Sequence, residues 1–150
     1  MTCSLTIFAQ PIHLSPEQVP AEVKIHFKKK YPQAEDPIWE KMDNGLYSGQ
    51  FWDGSNDIYI TAYYEEDGTW NNTIMELSPD AFTEAIRKYM KAKHEEDVIN
   101  NVIVTQEPGG KMTYMIIVET EEELITYTMD RYAKILDKNI EKINFDSTEE

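Results

Sequence analysis

Two stretches of the sequence decide the fold. Residues 14–31 read LSPEQVPAEVKIHFKKKY, and residues 77–94 read LSPDAFTEAIRKYMKAKH. Each begins with a serine that suits a helix N-cap, a proline that suits the first turn and an acid that suits the positive end of a helix. In each, a stripe of mostly apolar residues recurs every four positions, which predicts a one-faced helix. The stripes are Val19, Val23, Phe27 and Tyr31 in the first stretch, and Phe82, Ile86, Met90 and His94 in the second.

Each predicted helix is followed by a segment rich in tyrosine, isoleucine and threonine. The first segment is divided by the turn pairs Asn44-Gly45, Asp53-Gly54 and Asp67-Gly68, which are typical of hairpins. It predicts antiparallel strands near 38–43, 46–52, 57–64 and 69–76. The second segment predicts strands near 99–106, 112–119, 123–130 and 133–137, while residues 138–145 are ambiguous between strand and coil.

We therefore interpret the chain as two tandem α-β-β-β-β units, at residues 14–77 and 78–143. Residues 1–13 are assigned to a leader and residues 144–150 to an acidic tail. A unit of about 65 residues is marginal alone, which favours one antiparallel sheet shared by both units. The predicted fold is α+β, with both helices on one face of that sheet.

Charge and composition narrow the functional classes. The 150 residues include 14 Lys and Arg against 28 Asp and Glu, a net charge of −14, which makes nucleic acid or an anionic membrane surface a poor partner. No run is long and apolar enough to predict membrane insertion. The apolar residues 5–8 before Ala9 look like the end of a signal peptide, but no cation precedes Lys24. A start inside a longer signal peptide and a short unstructured leader both stay open.

No constellation in the sequence predicts catalysis, a metal site or a cofactor. His13, His26 and His94 are scattered, and no Ser or Cys stands in a readable triad with them. His94 belongs to a helix stripe, which favours a half-buried structural histidine. The spacing of Asp53, Ser55 and Asp57 resembles the start of a calcium loop, but the glycine and the final acid that such a loop requires are misplaced. Weak calcium capture by the acidic hairpin ends stays open.

Strand alternation predicts an aromatic surface. If Tyr47, Phe51, Ile60 and Tyr64 face the helices, their neighbours face the other way. We take that open face, together with the acidic turn that follows it, as the candidate partner-binding site. Its residues are Gln50, Trp52, Tyr59, Thr61, Tyr63, Glu65, Glu66 and Asp67. The alternative is that this side packs on the second unit or on a dimer mate, or that the rings only stabilise cross-strand pairs.

The first repeat resembles the PepSY-like proteins, an exported family of Bacteroidota grouped with the β-lactamase-inhibitor protein fold. The residues that carry the resemblance are Leu14 to Val23, Phe27 to Ala34, Trp39-Glu40, Tyr47, Phe51 and the Tyr64 to Gly68 turn. The second repeat departs from the pattern, with Thr83 for Pro20, His94-Glu95 for Tyr31-Pro32 and Ala133 for Gly68.

The resemblance implies a periplasmic or secreted, non-enzymatic binding protein. We expect it to hold a protein or peptide partner on the open sheet face and the acidic loops, and inhibition of an enzyme is one form of that function. β-Lactamase inhibition itself is not implied, because the disulfides and inhibitory loops of that inhibitor are absent. The alternative is a small-ligand carrier that holds a glycan or amphiphile on the aromatic sheet face. Partner identity and oligomeric state stay open.

Overall fold

The computed structural model describes residues 10–79 and 81–144, which form one antiparallel sheet of nine strands in chain order and two helices. The expected leader cleavage after Ala9 and most of the expected acidic tail lie outside the described residues. No helix in the described part of the chain is both long and apolar enough to cross a membrane. The elements are β1 (Ile12–Leu14), α1 (Ala21–Lys30), β2 (Ile38–Lys41), β3 (Tyr47–Asp53), β4 (Ile58–Tyr64), β5 (Trp70–Leu77), α2 (Glu84–His94), β6 (Val98–Gln106), β7 (Met112–Glu119), β8 (Glu123–Met129) and β9 (Ile135–Lys142).

The predicted α+β fold is confirmed, with one strand more than expected. Strands β2 to β8 lie within two residues of their expected positions, and β9 continues to Lys142 through the segment that was ambiguous. The additional strand, β1, pairs with β2 so that Leu14 lies opposite Trp39. Ile12 and His13, which the sequence assigned to the leader, therefore belong to the sheet. A strand of three residues is too short for alternation to predict it.

Both helices begin later than the serines predict. Ser15 begins a separate 3₁₀ turn, Pro16–Gln18, in which Gln18 Oε1 accepts a hydrogen bond of 2.8 Å from the Ser15 N–H. Pro20 disfavours helical backbone at the residue before it, so α1 begins at Ala21. In the second half Ser78 does not begin α2. The N-cap is Thr83, whose hydroxyl accepts a hydrogen bond of 3.3 Å from the Ile86 N–H.

The two helices cover the same face of the sheet. The register places Ile60 opposite Met75 and Met75 opposite Val104, so the inward side is continuous from the first half into the second. Met75 packs against both core clusters. The whole first stripe is buried, and Ile86 and Met90 of the second stripe are 0% and 3% exposed. The sequence stripes therefore identify the helix faces that build the core.

Candidate binding surface

The face of the sheet opposite the helices is the candidate binding surface, and we call it the open face. In the register of β3 and β4, Trp52 lies opposite Tyr59 and Gln50 lies opposite Thr61. Tyr63 is the next outward residue along β4 and lies opposite Ser48. The structure thus brings five of the eight predicted site residues together on two neighbouring strands.

Hydrogen bonds hold the polar part of this surface in place. The Tyr59 hydroxyl donates a hydrogen bond of 3.0 Å to Gln50 Oε1. Gln50 Nε2 in turn donates to Glu40 Oε1 and, at 3.4 Å, to Ser48 Oγ. Because both ends of the Gln50 amide are engaged, its rotamer and the tilt of the Tyr59 ring are fixed before any partner arrives. Such preorganisation lowers the entropic cost of binding.

The aromatic side chains on the open face differ in exposure. Trp52 is 57% exposed, whereas Tyr59 and Tyr63 are partly buried. Burial raises the pKa of the Tyr63 hydroxyl, and the nearby Glu40 carboxylate raises that pKa further. Tyr63 therefore stays neutral at physiological pH. Trp52 is the side chain with most surface left to bury against a partner.

The acidic turn of Glu65, Glu66 and Asp67 lies at the edge of this surface, away from Trp52 and Tyr59. It lies beyond the far end of β4, six residues from Tyr59, which corresponds to about 20 Å along a strand. A Cβ on Gly68, in the same turn, would collide with His26 Nδ1 and lie 2.8 Å from the Glu22 carbonyl oxygen. The turn therefore packs against α1, on the helix side of the molecule.

A local hydrogen bond gives Asp67 a structural role in this turn. Asp67 Oδ1 accepts the Thr69 N–H at 2.9 Å. The pKa of Asp67 is lowered first by its hydrogen bond with the Thr69 side chain and next by this N–H. The sequence assigned the eight residues to one site because β4 runs directly into the turn. In the structure five of them share the open face and the turn lies at its edge, and the binding role of all eight stays a prediction.

The open face continues into the second half of the sheet, beyond the eight residues predicted from the sequence. Ile103 lies opposite Glu76 on one side and opposite Met115 on the other. Partly buried apolar side chains therefore continue the surface that Trp52 begins. They are Ile74, Ile103, Met115, Ile117 and Leu124. Alternation within each strand signals these positions, but only the β5–β6 pairing shows that they adjoin the aromatic residues.

The charged side chains of the strands are distributed unequally between the open face and the helix side. On the described strands, the charged side chains whose register places them on the open face are all acidic: Glu40, Glu76, Glu119, Asp137 and Glu141. The strand cations face the helices instead, since Lys41 lies over the Tyr47 ring and Lys138 lies over the Tyr127 ring. Eight further cations lie on the helices, four on each. The open face therefore attracts cationic groups.

The histidines do not form a catalytic site on this surface. His94 lies on the helix side, where its Nδ1 is 2.7 Å from Asp97 Oδ2 and its Nε2 is 2.7 Å from the Tyr127 hydroxyl. Its side chain is 8% exposed. Both ring nitrogens are engaged, so the expected structural histidine is confirmed. Among the described residues, the lining of the groove beside His94 includes no Ser, Thr or Cys that could act as a nucleophile.

The residues that resembled a calcium loop form a hairpin turn. The Asp53 carboxylate accepts hydrogen bonds from the Ser55 N–H at 3.1 Å and from Asn56 Nδ2 at 3.0 Å. The Asn56 hydrogen bond is the main cause that lowers the pKa of Asp53. Among the described residues, no group of three or more His, Cys, Asp and Glu side chains is placed to hold a metal ion.

No protein-family model and no curated protein matches the sequence. Solved structures do share the fold. A DUF2874 family protein from Bacteroides ovatus ATCC 8483 is 22% identical with a TM-score of 0.70, over 81% of this chain and 87% of that one. A BLIP-like protein from Bacteroides fragilis NCTC 9343 is 18% identical with a TM-score of 0.68, over 89% of this chain and 92% of that one.

A third structure has the same architecture. It is a protein from Bacteroides eggerthii DSM 20697, for which a periplasmic location is proposed, and it is 21% identical with a TM-score of 0.69 over 81% of this chain and 88% of that one. At these identities the likeness establishes the fold. The chain has the BLIP-like α+β fold: an antiparallel sheet covered by helices on one face.

Proposed function

We propose that this chain is an exported, non-enzymatic binding protein that holds a protein or peptide partner on its open face. The observation that carries the proposal is a continuous sheet face that the described residues leave uncovered, with Trp52 exposed and Tyr59 held by hydrogen bonds. Monomers seldom expose a large apolar patch without a binding role, and Tyr and Trp dominate the energy of many interfaces. A partner that inserts an apolar group beside Trp52 would bury it fully.

The size and the charge of the open face indicate what kind of partner it would bind. Nine strands about 4.8 Å apart and six or seven residues long span roughly 40 by 20 Å, which matches the roughly 800 Å² per partner of a stable interface. Because the charged residues of this face are acidic, the partner is expected to present lysine or arginine around an apolar centre. Such complementarity raises the association rate and makes it depend on salt.

Export and family are further parts of the proposal. The periplasmic location proposed for the Bacteroides eggerthii protein supports the periplasmic or secreted location that residues 5–9 suggest. A PepSY-like assignment would fit an inhibitor of a secreted peptidase. Mass spectrometry of the native protein tests export, because a mature N-terminus at Gln10 is expected and an intact Met1 would refute it.

We also propose that residues 14–77 and 78–143 are duplicated units. Each consists of a helix followed by four strands. Equivalent positions also line equivalent grooves: Pro16, Lys24, Phe27 and Lys28 line a groove along α1, and Pro79, Arg87, Met90 and Lys91 line one along α2. Each pair is 63 residues apart.

The decisive experiment removes two rings of the open face, Trp52 and Tyr59, which lie outside the first core cluster. The wild-type protein, Trp52→Ala/Tyr59→Ala and the control Tyr132→Ala are immobilised and exposed to a Bacteroides periplasmic extract, and captured proteins are quantified by mass spectrometry. Tyr132 is 76% exposed but lies in the β8–β9 turn. We expect a captured protein that the double variant loses and the control keeps, with melting temperatures nearly unchanged.

Two outcomes would refute the proposal. Capture that is equal for all three proteins would place binding elsewhere, and unfolding of the double variant would show that the rings are core. The carrier alternative requires an enclosed pocket at Trp52 and Tyr63. Three grooves, of about 550, 380 and 570 Å³, lie along the helices instead, so a carrier role for the open face is not favoured.

A further inference from the structure

A preformed groove lies on the helix side of the first half. It has a volume of about 380 Å³ and runs between α1 and the segment that connects α1 to β2. Its apolar floor is formed by Phe27, Tyr31 and Trp39, whose rings are tightly packed and 3%, 9% and 4% exposed. The volume is within the range of small-ligand sites, about 300–1,000 Å³.

Proline residues make the walls of this groove rigid. Pro16, Pro32 and Pro37 all line it, and each fixes its own backbone φ angle. Because the floor rings pack on one another at centroid distances of 4.9 and 5.4 Å, the groove keeps its shape when empty. A ligand would therefore meet a site that needs little rearrangement.

Two cations line the groove on successive turns of α1. Lys24 and Lys28 are four residues apart, and like charges at this spacing repel one another. Within the described part of the chain, neither ammonium group has a carboxylate within 4.0 Å, although the charge of Glu17 interacts with that of Lys24 from farther away. Asp36 is the one acid in the lining. In a protein of net charge −14, the lining of this groove therefore has two cations against one acid.

The groove along α2 is a natural comparison. It has about 550 Å³ and places Arg87 and Lys91 at the positions of Lys24 and Lys28. However, Glu95 and Asp97 also line it, so its acids balance its cations. An anion is therefore favoured in the groove along α1 and not in the groove along α2.

We propose that the groove along α1 binds an amphiphilic organic acid, with the carboxylate between Lys24 and Lys28 and the apolar body against the floor rings. Ammonium groups bind carboxylates through charge-assisted hydrogen bonds, and the ring edges supply apolar contact. The site lies on the face opposite the proposed partner surface. Ligand and partner can therefore be bound at the same time, and the two proposals stand or fall separately.

The three tryptophans provide the test. Trp39 lies in the groove, Trp52 on the open face and Trp70 beneath the Lys30 ammonium group at 3.9 Å. The full-length protein labelled with ¹⁵N is titrated with 2-naphthoate while the three indole N–H signals are followed. We expect a saturable shift of the Trp39 signal alone, with a dissociation constant of about 1 mM or tighter.

A matched pair of variants tests the charge. Lys28→Met and Lys29→Met replace neighbouring residues of α1, and each removes one positive charge. Only Lys28 lines this groove. We expect Lys28→Met to weaken binding about tenfold and Lys29→Met to change it little. Equal weakening by both variants would reduce the effect to general electrostatics and overturn the proposal. So would equal binding of the uncharged 2-naphthalenemethanol, a shift centred on Trp52, or no saturable shift of Trp39.

Discussion

The two halves of the molecule form the same arrangement from different side chains. In the first half, Phe27 on α1 lies within 6.2 Å, centroid to centroid, of four other aromatic rings. In the second half, α2 packs on a mainly aliphatic core. Its buried residues include Ile86, Met90, Val102, Val104, Ile116, Val118 and Met129. The same packing of a helix on the sheet is therefore compatible with an aromatic core or an aliphatic core, provided that the spacing of the helix stripe is kept.

At one contact between α1 and the sheet, a large helix side chain packs against a strand residue that has no side chain. A Cβ on Gly49 would lie 2.6 Å from Phe27 Cε2, so the large ring is accommodated by a strand residue without a side chain. Under the proposed duplication, Met90 corresponds to Phe27 at an offset of 63 residues and Ile116 corresponds to Gly49 at an offset of 67. Met90 and Ile116 are both buried in one cluster. A smaller helix residue there accompanies a larger strand residue. The total volume matters more to such a core than the identity of either residue.

The largest expected effect comes from disrupting this contact with Gly49→Ala. The added methyl group meets Phe27 and Trp39 at less than 3 Å, and overpacking of this kind costs about 3 kcal/mol of the free energy of unfolding. Guanidinium denaturation measures the loss. The control is Gly54→Ala, because the nearest neighbour of its Cβ would be 3.7 Å away, and a change within about 0.5 kcal/mol is expected.

A double variant shows whether this contact is the cause. If Phe27→Met makes room for the methyl group, Phe27→Met/Gly49→Ala should be more stable than the sum of the two single changes predicts. Simple additivity would mean that Gly49 is required for another reason.

The turns that follow β4 and β8 supply the next contrast. Gly68 has a φ angle of +89°, and the equivalent Ala133 keeps a positive φ of +65° although it carries a side chain. Gly68→Ala should cost about 2.5 kcal/mol, because it adds this strain and places a methyl group against His26 and the Glu22 carbonyl. Ala133→Gly should instead stabilise slightly, by about 0.5 kcal/mol, because strain relief exceeds the added chain entropy. Thermal melts measure both variants. A change in stability of the same sign for both would contradict this view.

Much of the fold could be predicted from the sequence because its signals are local. The helix stripes and the turn pairs place α1, α2 and the strands β2 to β8 close to their true positions. The start of α2 could not be predicted, because Ser78-Pro79 carries the same cap signal as Thr83 and only tertiary packing selects between them. The role of Gly49 was equally hidden, since a glycine in a strand gives no sign of the ring that approaches it.

The candidate surface was predictable strand by strand but not as a whole. Alternation assigned Trp52, Tyr59 and Tyr63 to one face correctly. It could not show that the acidic turn after Tyr64 bends toward α1, since that depends on contacts with Glu22 and His26. Long-range pairings that join the two halves likewise leave no local trace.

A smaller effect is expected at the last position of the two stripes. Tyr31 and His94 each hold the last position of their stripe, but their hydrogen-bond partners differ. The Tyr31 hydroxyl is 2.6 Å from Thr73 Oγ1, which also accepts the Trp70 indole N–H at 2.9 Å. His94→Phe removes a hydrogen-bond partner from Asp97 and one from the Tyr127 hydroxyl, which also interacts with Tyr89, and it should cost about 2 kcal/mol.

Tyr31→Phe is the matched change, and it should cost only about 1 kcal/mol because Thr73 keeps its bond to Trp70. Urea denaturation at pH 7 measures both variants. Equal losses in the free energy of unfolding would show that the two hydrogen-bond networks stabilise the fold equally. The contrast between the halves would then lie in ring packing alone.

The weakest contrast at neutral pH concerns two buried tyrosines. The Tyr64 hydroxyl has no hydrogen-bond partner among the described residues, whereas that of Tyr127 is 2.7 Å from His94 Nε2. At pH 7, Tyr64→Phe should therefore leave stability unchanged or slightly higher, while Tyr127→Phe should lower it. Urea denaturation measures both, and a clear loss for Tyr64→Phe would imply a partner for its hydroxyl.

Alkaline pH should make these two tyrosines behave alike. Burial raises the pKa of Tyr64. Burial, together with the neighbouring Tyr89 and Asp97 side chains, raises the pKa of Tyr127 from 10.0 to about 12. A raised pKa means that the folded state holds the proton more tightly than the unfolded state does. The stabilisation is therefore complete below pH 10 and is lost as pH rises through the folded pKa. Each phenylalanine variant should lose less stability than wild type between pH 10 and 12 in denaturation series. A variant whose stability falls as steeply as wild type would show that its tyrosine ionises equally easily in both states, so that burial in that half does not protect the hydroxyl.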